Sequence, residues 1–391
     1  MRIPTLIELA QERGVELPSY TEEGLRELVF KDRYASLAEY LHGFQYLCAV
    51  LQDPEALERV SFELAEDNFE EGVRYVEARF APQLHVNKKQ SMQEVLWAVH
   101  RGFKRAKDQF NQSEPIRRDG EPPFEYGLIV CALRMFTESF GDYYRNFLRV
   151  HQYSPSKPAY AMASLELAQA AVAIRDEFGL PIGGFDLAGQ ENGYPAEDHK
   201  AAYDYAHHNF LSKTVHAGEA YGPESIFQAI TDLHADRIGH GYHLLSAWLI
   251  GDDVERKDEY VNRLAEYIAD QRVTIEVCLT SNLQTNPMIK SLGEHAFLEM
   301  RRKRLSTTFC TDNRTVSNTT VTKEIELAVR HFNLTRHDLR HILIYGFKRS
   351  FFPGTYLEKR SYVRKVIDYY DRIVSEEPSE APDSGGVSSE S

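Results

Sequence analysis

Short apolar segments alternate with helical segments along most of the chain, and this alternation constrains the fold more than any other feature. Seven segments have the composition of a buried β-strand, and each ends at polar residues that can do chemistry. They span residues 74–81, 126–134, 181–187, 213–219, 237–243, 273–278 and 306–311. Strands separated by helices pair in parallel and are buried on both faces, so we predict an α/β fold with one parallel sheet.

The polar strand ends favour a TIM-type (β/α)8 barrel over a doubly wound open sheet. The residues that lie at the ends of four different strands are His216, His240, Ser281 and Asp312. A barrel builds its active site from many strand ends, whereas a doubly wound sheet places its ligand near one switch point. A closed barrel needs eight strands, and the chain opens with a helix that no strand precedes. We therefore predict a barrel that lacks its first strand and has extra C-terminal helices.

The domain organisation follows from helix and tail composition. Pro4 suits the first turn of a helix and Gly14 suits its C-terminal cap, so the chain begins with a helix. Residues 375–391 contain Ser, Glu, Pro and Gly with one valine and no aromatic residue, a composition too polar to order itself. We predict a single barrel domain over residues 1–374 and a disordered acidic tail over residues 375–391.

Charge and hydropathy exclude several kinds of partner. The formal net charge is −14, whereas phosphate binding needs clustered Lys and Arg, so we expect no nucleic-acid partner. The sequence has no run of about eighteen apolar residues, so we expect no membrane partner. The 4 cysteines are far apart without a C-x-x-C pair, which indicates buried thiols in a reducing compartment. We therefore expect a cytoplasmic location.

Four strand ends together predict a metal-dependent active site. His216 and Asp312 offer imidazole nitrogen and carboxylate oxygen, which are the donors that zinc accepts. Zinc lowers the pKa of a bound water, so that hydroxide exists near neutral pH. His240 can orient or deprotonate that water, and Glu219 can pass a proton to the substrate. Simpler interpretations are a satisfied loop histidine at His216, a packing role for His240, and a helix cap at Asp312 with Asn313.

Other polar residues are assigned no catalytic role. His207 and His208 have the pattern of helix-surface residues, and His85 has the context of a loop. Glu77 and Arg79 lie two residues apart on a strand, so both side chains can point into the barrel. A structural salt bridge is the interpretation that we favour for this pair.

The strand-end motifs occur in an order that resembles the adenosine deaminase family of the amidohydrolase superfamily. They are HAGE at 216–219, RIGHG at 237–241, EVC with TSN at 276–282, and TD at 311–312. Three further stretches are similar to that family, namely YVEARFAP at 75–82, GFDLAGQE at 184–191 and ILIYGFKRSFFP at 342–353. The resemblance extends over residues 6–373.

The resemblance implies zinc-dependent hydrolytic deamination of adenosine, or of a closely related purine nucleoside, to inosine and ammonia. It implies that His216 and Asp312 are ligands of Zn2+. Glu219 would be the acid that protonates purine N1, and His240 would assist the attacking hydroxide.

The resemblance also implies two substrate contacts. Gly189 would offer its backbone N–H to purine N3. Asn313 stands where the family commonly has a second aspartate, which contacts purine N7. An asparagine amide can donate to that nitrogen without first being protonated, so the contact can survive the change.

One departure from the family concerns the metal. In the family, a strand bearing H-x-H-L-x-G precedes the first helix, and its two histidines bind zinc. This sequence has no such motif, which agrees with the missing first strand. We expect that Met1 is an internal methionine taken as the start, or that the chain is a trimmed form; a relic that lost the strand is the alternative. Residues 1–391 should then be poorly soluble or marginally stable.

The sequence also allows other functions. An inactive purine-binding or regulatory relative would keep the pocket without the H-x-H ligands. A deaminase of a 5′-modified nucleoside or of adenine would use the same motifs. A 5′-phosphate is disfavoured as a substrate group because Arg314 is the one basic residue beside a strand end. An unrelated metal hydrolase can share the same barrel.

Overall fold

Helices form most of the structure and surround one sheet. The computed structural model describes residues 1–252 and 254–376. Its α-helices are α1 Ile3–Arg13, α2 Glu22–Leu28, α3 Leu37–His42, α4 Phe44–Val50, α5 Pro54–Glu70, α6 Met92–Phe110, α7 Glu114–Arg117, α8 Asp142–Val150, α9 Ser156–Phe178, α10 Lys200–His208, α11 Pro223–Thr231, α12 Lys257–Gln271, α13 Leu279–Thr285, α14 Phe297–Arg302, α15 Arg314–Ser317, α16 Val321–Phe332, α17 Arg336–Arg349 and α18 Tyr356–Glu376. Short 3₁₀ helices lie at Pro82–His85, Glu138–Phe140, Ala196–His199, Tyr242–Leu245, Ala247–Leu249 and Leu292–Glu294.

Local sequence explains where these helices begin and end. A proline in its first turn starts α1, and Gly14 ends it in the left-handed conformation at φ 65°. The predicted first helix is therefore confirmed. Ser91 begins α6 with a capping box, in which Ser91 and Glu94 each satisfy a backbone N–H of the other.

The sheet contains seven parallel strands that pair in chain order. They are β1 Tyr75–Phe80, β2 Glu125–Leu133, β3 Ile182–Ala188, β4 Ser212–Ala217, β5 Arg237–His240, β6 Thr274–Val277 and β7 Ser306–Phe309. Parallel register is continuous where β4 meets β5, with Val215 opposite Ile238 and His216 opposite Gly239. The predicted parallel α/β arrangement is confirmed, and the largest apolar core lies between this sheet and the surrounding helices.

The sheet curls but does not close within the described residues. There β1 pairs with β2 alone and β7 pairs with β6 alone, so both outer strands present an edge. This arrangement is a (β/α)8-type barrel that lacks one strand, as the strand count predicts. Helix α17 packs so closely on β7 that a Cβ atom at Gly346 would lie only 2.7 Å from Oγ1 of Thr308. Glycine permits this approach.

Three strands end at least two residues earlier than the sequence suggests. The predicted segments 213–219, 237–243 and 306–311 end as strands at Ala217, His240 and Phe309. At the ends of β5 and β7 the backbone turns through His240 at φ 64° and Asp312 at φ 53°. Residues other than glycine adopt this left-handed region rarely, and often at functional sites.

The C-terminal helices cover the amino end of the sheet. Tyr362 on α18 donates a hydrogen bond to the carbonyl oxygens of Arg74 and Pro123, which precede β1 and β2. Helix α18 continues to Glu376, two residues past the predicted end of the barrel domain. The rest of the predicted tail, residues 377–391, lies outside the described residues. Across residues 1–252 and 254–376, the helices fall short of the combined length and hydropathy that a membrane span requires.

Four charged residues form an interior ion-pair network inside the curled sheet: Glu77, Arg79, Arg237 and Glu276. Arg237 lies 2.6 Å from Oε2 of Glu77 and 2.7 Å from Oε1 of Glu276. Nη2 of Arg79 lies 2.5 Å from Oε2 of Glu276. Glu77 and Arg79 are therefore in structural ion pairs, although not with each other. Burial raises the pKa of Glu276, but the charges of Arg79 and Arg237 outweigh burial and lower it to about 2.

Candidate active site

The carboxyl ends of β4, β5 and β7 bring four predicted site residues together: His216, Glu219, His240 and Asp312. The ring centroids of His216 and His240 are 5.2 Å apart. The charge of Asp312 acts on both His216 and Glu219. Residues from three strands thus share one electrostatic environment, as expected at the carboxyl end of a barrel.

His216 is oriented by a buried carboxylate that the sequence analysis did not identify. Asp186, on β3, is fully buried and places Oδ2 3.0 Å from Nδ1 of His216. Burial raises the pKa of Asp186, yet the charges of His216 and Arg79 outweigh burial and lower it. Burial lowers the pKa of His216, while the Asp186 charge outweighs that effect and raises it. A carboxylate behind one ring nitrogen fixes the ring and leaves the other nitrogen for a ligand.

Glu219 is a nearly buried carboxyl group without a strong cationic partner. It is 9% exposed, and the closest basic atom is Nε2 of His240, 3.6 Å from Oε2. Burial raises the pKa of Glu219, and the negative charges of Asp312 and Glu191 act in the same direction. A raised pKa suits a group that must hold a proton and then give it away.

The turn that carries Glu219 is fixed by Glu191. The Glu191 carboxylate accepts hydrogen bonds from four successive backbone N–H groups and from one hydroxyl: those of Gly218, Glu219, Ala220 and Tyr221, and Oγ of Ser225. Charge-assisted hydrogen bonds of this kind are roughly twice as strong as neutral ones. Gly218 has φ 69°, which lets the backbone fold around the carboxylate.

His240 contacts a buried polar pair on its other side. Nδ2 of Asn282 lies 3.1 Å from Nδ1 of His240, and Oδ1 of Asn282 lies 3.2 Å from Nε2 of His295. The exposed fractions are 2% for His240, 1% for Asn282 and 2% for His295. Buried polar groups require partners, so these side chains hold one another in place.

Asp312, which follows β7, accepts hydrogen bonds from two side chains. Oγ of Ser281 donates to Oδ2 of Asp312 over 2.8 Å, and Nδ2 of Asn313 donates to Oδ1 over 2.7 Å. The Asn313 amide also donates to the Tyr40 hydroxyl over 3.2 Å. Asn313 occupies the N-cap position of α15, but its side chain makes no cap hydrogen bond. The helix-cap interpretation of this pair therefore lacks its defining contact.

Gly189 follows β3 at the same end of the sheet. Its φ of 102° strains any other residue, and a Cβ there would meet just one atom within 4 Å, the Arg134 nitrogen at 3.8 Å. The glycine is therefore required by backbone conformation rather than by crowding. The space beside it is open to a ligand.

The donor types at this site fit zinc, whereas their number does not complete a zinc site. His216 and Asp312 offer imidazole and carboxylate, and Asp186 stands behind the His216 ring as in zinc proteins. Catalytic zinc generally has three protein ligands. Within residues 1–252 and 254–376, no group of three or more His, Cys, Asp or Glu residues is placed to hold a metal ion.

The three histidines that were assigned no catalytic role from the sequence have other environments. His207 and His208 are exposed on α10, in agreement with their predicted surface position. His85 is buried in a 3₁₀ helix, where its Nδ1 lies 2.9 Å from the Leu51 carbonyl oxygen. Burial lowers the pKa of His85 to about 4, so the ring is neutral at neutral pH.

Comparisons with known proteins identify the family and the fold to which this chain is similar. The family model described as "Adenosine deaminase" matches residues 1–369. Adenosine deaminase 1 of Streptomyces coelicolor is 34% identical over 94% of this chain and 83% of its own length. An adenine deaminase from Arthrobacter aurescens shares the fold with a TM-score of 0.69, 21% identity and 95% coverage of both chains. An amidohydrolase from Burkholderia ambifaria, solved with bound Zn, has a TM-score of 0.72 and 19% identity, covering 96% of this chain and 90% of that one.

The two structural neighbours support the barrel fold, and the sequence matches go further. The family match extends through nearly all of the described residues, and the identity to the Streptomyces coelicolor enzyme extends over 94% of the chain. The resemblance inferred from the strand-end motifs is thereby confirmed. This chain belongs to the adenosine deaminase family, and it is an aminohydrolase.

Proposed function

We propose that this protein deaminates adenosine, or a closely related purine nucleoside, by zinc-dependent hydrolysis to inosine and ammonia. The observation that carries the proposal is the meeting of Glu219, His240, His216 and Asp312 at one end of the barrel. Each lies in a motif that resembles the adenosine deaminase family, and the family model matches residues 1–369, a range that includes all four.

In this proposal His216 and Asp312 hold the zinc ion, and Asp186 orients His216. The ion would supply Lewis-acid activation of water. Further ligands must complete the site, because two protein donors are fewer than a catalytic zinc site normally has.

The residues of the chain account for the proton transfers. Burial raises the pKa of Glu219, which favours its protonated form, and in this proposal Glu219 donates that proton to purine N1. The water oxygen bonds to C6, and one water proton restores the proton that Glu219 gave to N1. The other water proton passes to the amino nitrogen, the C6–N bond breaks, and ammonia leaves. His240 lies 3.6 Å from Glu219 and orients the attacking water.

Two residues are proposed to bind the purine. Gly189 offers its backbone N–H to N3 from the open space beside β3. Asn313 donates one N–H of its amide to N7, for which it must release one of its two present acceptors, Oδ1 of Asp312 at 2.7 Å or the Tyr40 hydroxyl at 3.2 Å.

Adenosine is favoured over other purines by the curated relatives, because the protein from Streptomyces coelicolor carries that name at 34% identity. The adenine deaminase neighbour is 21% identical and bears on the fold alone. The order of preference can be tested by incubating the purified protein and zinc with adenosine, adenine and a 5′-modified nucleoside. Chromatography then measures the rate at which each product forms. Faster product formation from adenine would overturn the preference.

A second candidate function is an inactive purine-binding protein. It is favoured by the incomplete zinc set among residues 1–252 and 254–376. The two candidates differ in one measurement, since an enzyme releases inosine and ammonia whereas a binding protein returns adenosine unchanged. Saturable adenosine binding without any product would replace the first proposal by the second.

A cytoplasmic location is part of the proposal. All four cysteines, Cys48, Cys131, Cys278 and Cys310, are free thiols in the structure. Free thiols are typical of reducing compartments. Cell fractionation with an antibody against the chain tests this location.

A further inference from the structure

Three buried side chains form a hydrogen-bonded relay that ends at the active site. It runs from the backbone N–H of Phe297 through His295 and Asn282 to His240. Its heavy-atom distances are 3.1, 3.2 and 3.1 Å in that order. Each contact is within ordinary hydrogen-bond range, so every donor and acceptor along the relay can be assigned in turn.

The first contact fixes His295. A backbone N–H can donate and cannot accept, so Nδ1 of His295 must be the acceptor of the Phe297 amide. Burial lowers the pKa of His295 to about 3, which makes the ring neutral at neutral pH. A neutral imidazole carries one N–H, and in His295 it must therefore be on Nε2.

The second contact fixes Asn282. Nε2–H of His295 requires an acceptor, and the Asn282 atom that faces it is the carbonyl oxygen Oδ1. The opposite orientation of the amide would point two donors at each other. Amide orientation is normally assigned from hydrogen-bond networks, and here a backbone amide anchors the assignment.

The third contact determines which ring nitrogen of His240 carries the proton. Nδ2 of Asn282 is a donor, so Nδ1 of His240 must accept. The proton of a neutral His240 ring is then on Nε2, the nitrogen that lies 3.6 Å from Oε2 of Glu219. The polarity of the whole relay thus originates at one main-chain group 57 residues further along the chain.

We infer that His295 and Asn282 are positioning residues that hold His240 as its Nε2–H tautomer. In this tautomer the site-facing nitrogen of His240 is a hydrogen-bond donor toward Glu219 and the reacting water. It orients the water through that donor and does not take a proton from it. The catalytic consequence rests on the proposed deaminase function, whereas the tautomer itself does not.

A neighbouring asparagine–histidine pair offers a matched control. At the C-cap of α13, Nδ2 of Asn286 lies 3.2 Å from Nε2 of His243. The backbone N–H of Met288 donates to Oδ1 of Asn286 over 3.0 Å, so the orientation of this amide is fixed as well. Nε2 of His243 must then accept, which leaves the proton of a neutral His243 ring on Nδ1, 3.0 Å from the hydroxyl oxygen of Ser246. Because the relay to His240 does not include this pair, a change at Asn286 is a matched control for a change at Asn282.

The experiment is nitrogen-15 NMR of the full chain with labelled histidine, in which ring correlations distinguish the two tautomers. The resonances of His240 are identified by their loss in His240→Gln. We expect the Nε2–H pattern for His240 in the unmodified protein near neutral pH. The Nδ1–H pattern there would overturn the inference without any further variant.

Two variants test the relay itself. Asn282→Asp offers acceptors on both sides, so His240 should move its proton to Nδ1. His295→Phe removes the donor to Oδ1, so Asn282 can rotate and His240 should show a mixture of tautomers. Asn286→Asp should leave the His240 resonances unchanged. The relay is refuted if His240 keeps the same pattern in both Asn282→Asp and His295→Phe.

Turnover is measured on the same proteins. Asn282→Asp should lower kcat for adenosine by tenfold or more with KM changed by less than threefold, since orientation of the water is lost while purine contacts stay. An unchanged kcat in Asn282→Asp, with the tautomer moved, would refute the catalytic consequence. An unmodified protein that shows the expected tautomer and no turnover would refute the deaminase proposal and leave the relay standing.

Discussion

The middle and the carboxyl end of the barrel use buried carboxylates in opposite ways. In the interior ion-pair network, Glu276 receives two guanidinium groups and the Thr214 hydroxyl, and its pKa falls to about 2. At the site, Glu219 has one histidine 3.6 Å away, and its pKa is raised. Complete pairing keeps one carboxylate charged for structure, whereas incomplete pairing lets the other hold a transferable proton.

The largest effect is expected from a change at Glu219, the carboxyl group proposed to carry a proton. Glu219→Gln keeps the shape of the side chain but cannot donate an acidic proton, so kcat for adenosine should fall by about 10²–10⁴-fold. Thermal unfolding should change little, because no strong pair is lost. Steady-state assays beside Glu266→Gln, an exposed residue of α12, provide the control. A Glu219→Gln protein with most of its activity would remove the assigned role.

The next largest effect is expected from a change at Glu276, in the interior ion-pair network. Glu276→Gln leaves two arginines short of a charge, the buried Arg237 and the partly buried Arg79, and the free energy of unfolding should fall by about 3–5 kcal/mol. Glu299→Gln, which removes an exposed pair with Arg302, should cost no more than about 0.5 kcal/mol. Urea unfolding of both variants measures the difference. Equal losses would show that burial does not distinguish these two pairs.

The pH dependence of stability sharpens the same point. The pKa of Glu276 is about 2, below the ordinary value of 4.5, so its stabilising contribution is present above pH 4.5. It is lost as the pH falls from 4.5 toward 2, and amounts to about 3 kcal/mol. Urea titrations over this range should show a smaller acid loss in Glu276→Gln than in the unmodified protein. Parallel curves would contradict the assignment.

A smaller effect concerns the Glu191 cradle, which is the set of hydrogen bonds from the backbone N–H groups of residues 218–221 to the Glu191 carboxylate. Glu191→Gln replaces one acceptor oxygen by an amide that faces backbone donors, and stability should fall by about 1.5–3 kcal/mol. Because the turn carries Glu219, kcat should also decrease, although less than in Glu219→Gln. Calorimetry and kinetics on one preparation measure both. Loss of stability with unchanged kcat would limit Glu191 to a structural role.

The smallest effect is expected from zinc removal in residues 1–391. Two protein ligands bind zinc weakly, so zinc near its Kd should add only about 0.4 kcal/mol of stability. Treatment with a chelator should therefore lower the Tm by no more than a few degrees, and His216→Ala should abolish the difference. A large Tm decrease on chelation would mean that the chain has a complete zinc site.

Sequence reasoning reached the strands and the residues at their ends, because alternation and polar strand ends are local patterns. It did not identify Asp186 as a site residue, because Asp186 is one polar residue within an apolar strand. Glu191 and His295 were missed for a related reason, since Glu191 acts on backbone groups 27 or more positions away and His295 acts on Asn282, 13 positions away. A carboxylate shortly after a glycine turn was the available clue to Glu191. For His295, the sequence offers no pattern that points to Asn282.

The bounds of β5 and β7 were also beyond sequence patterns. The left-handed backbone at His240 and Asp312 stops both strands at the site, although neither residue is glycine. Sequence propensity assigns such residues to extended or helical structure, and tertiary contacts decide otherwise. The differences between predicted and observed strand ends thus fall at the proposed chemistry.

The Glu191 cradle has a consequence for dynamics. Loops at the mouth of a barrel usually exchange their amide hydrogens quickly, because water reaches them. The amides of residues 218–221 are instead bonded to one buried carboxylate. They should exchange slowly, at the pace of the neighbouring strands. On this side the mouth should therefore be rigid, so that the substrate must enter in an orientation that already suits Glu219, and any adjustment must come from the opposite side.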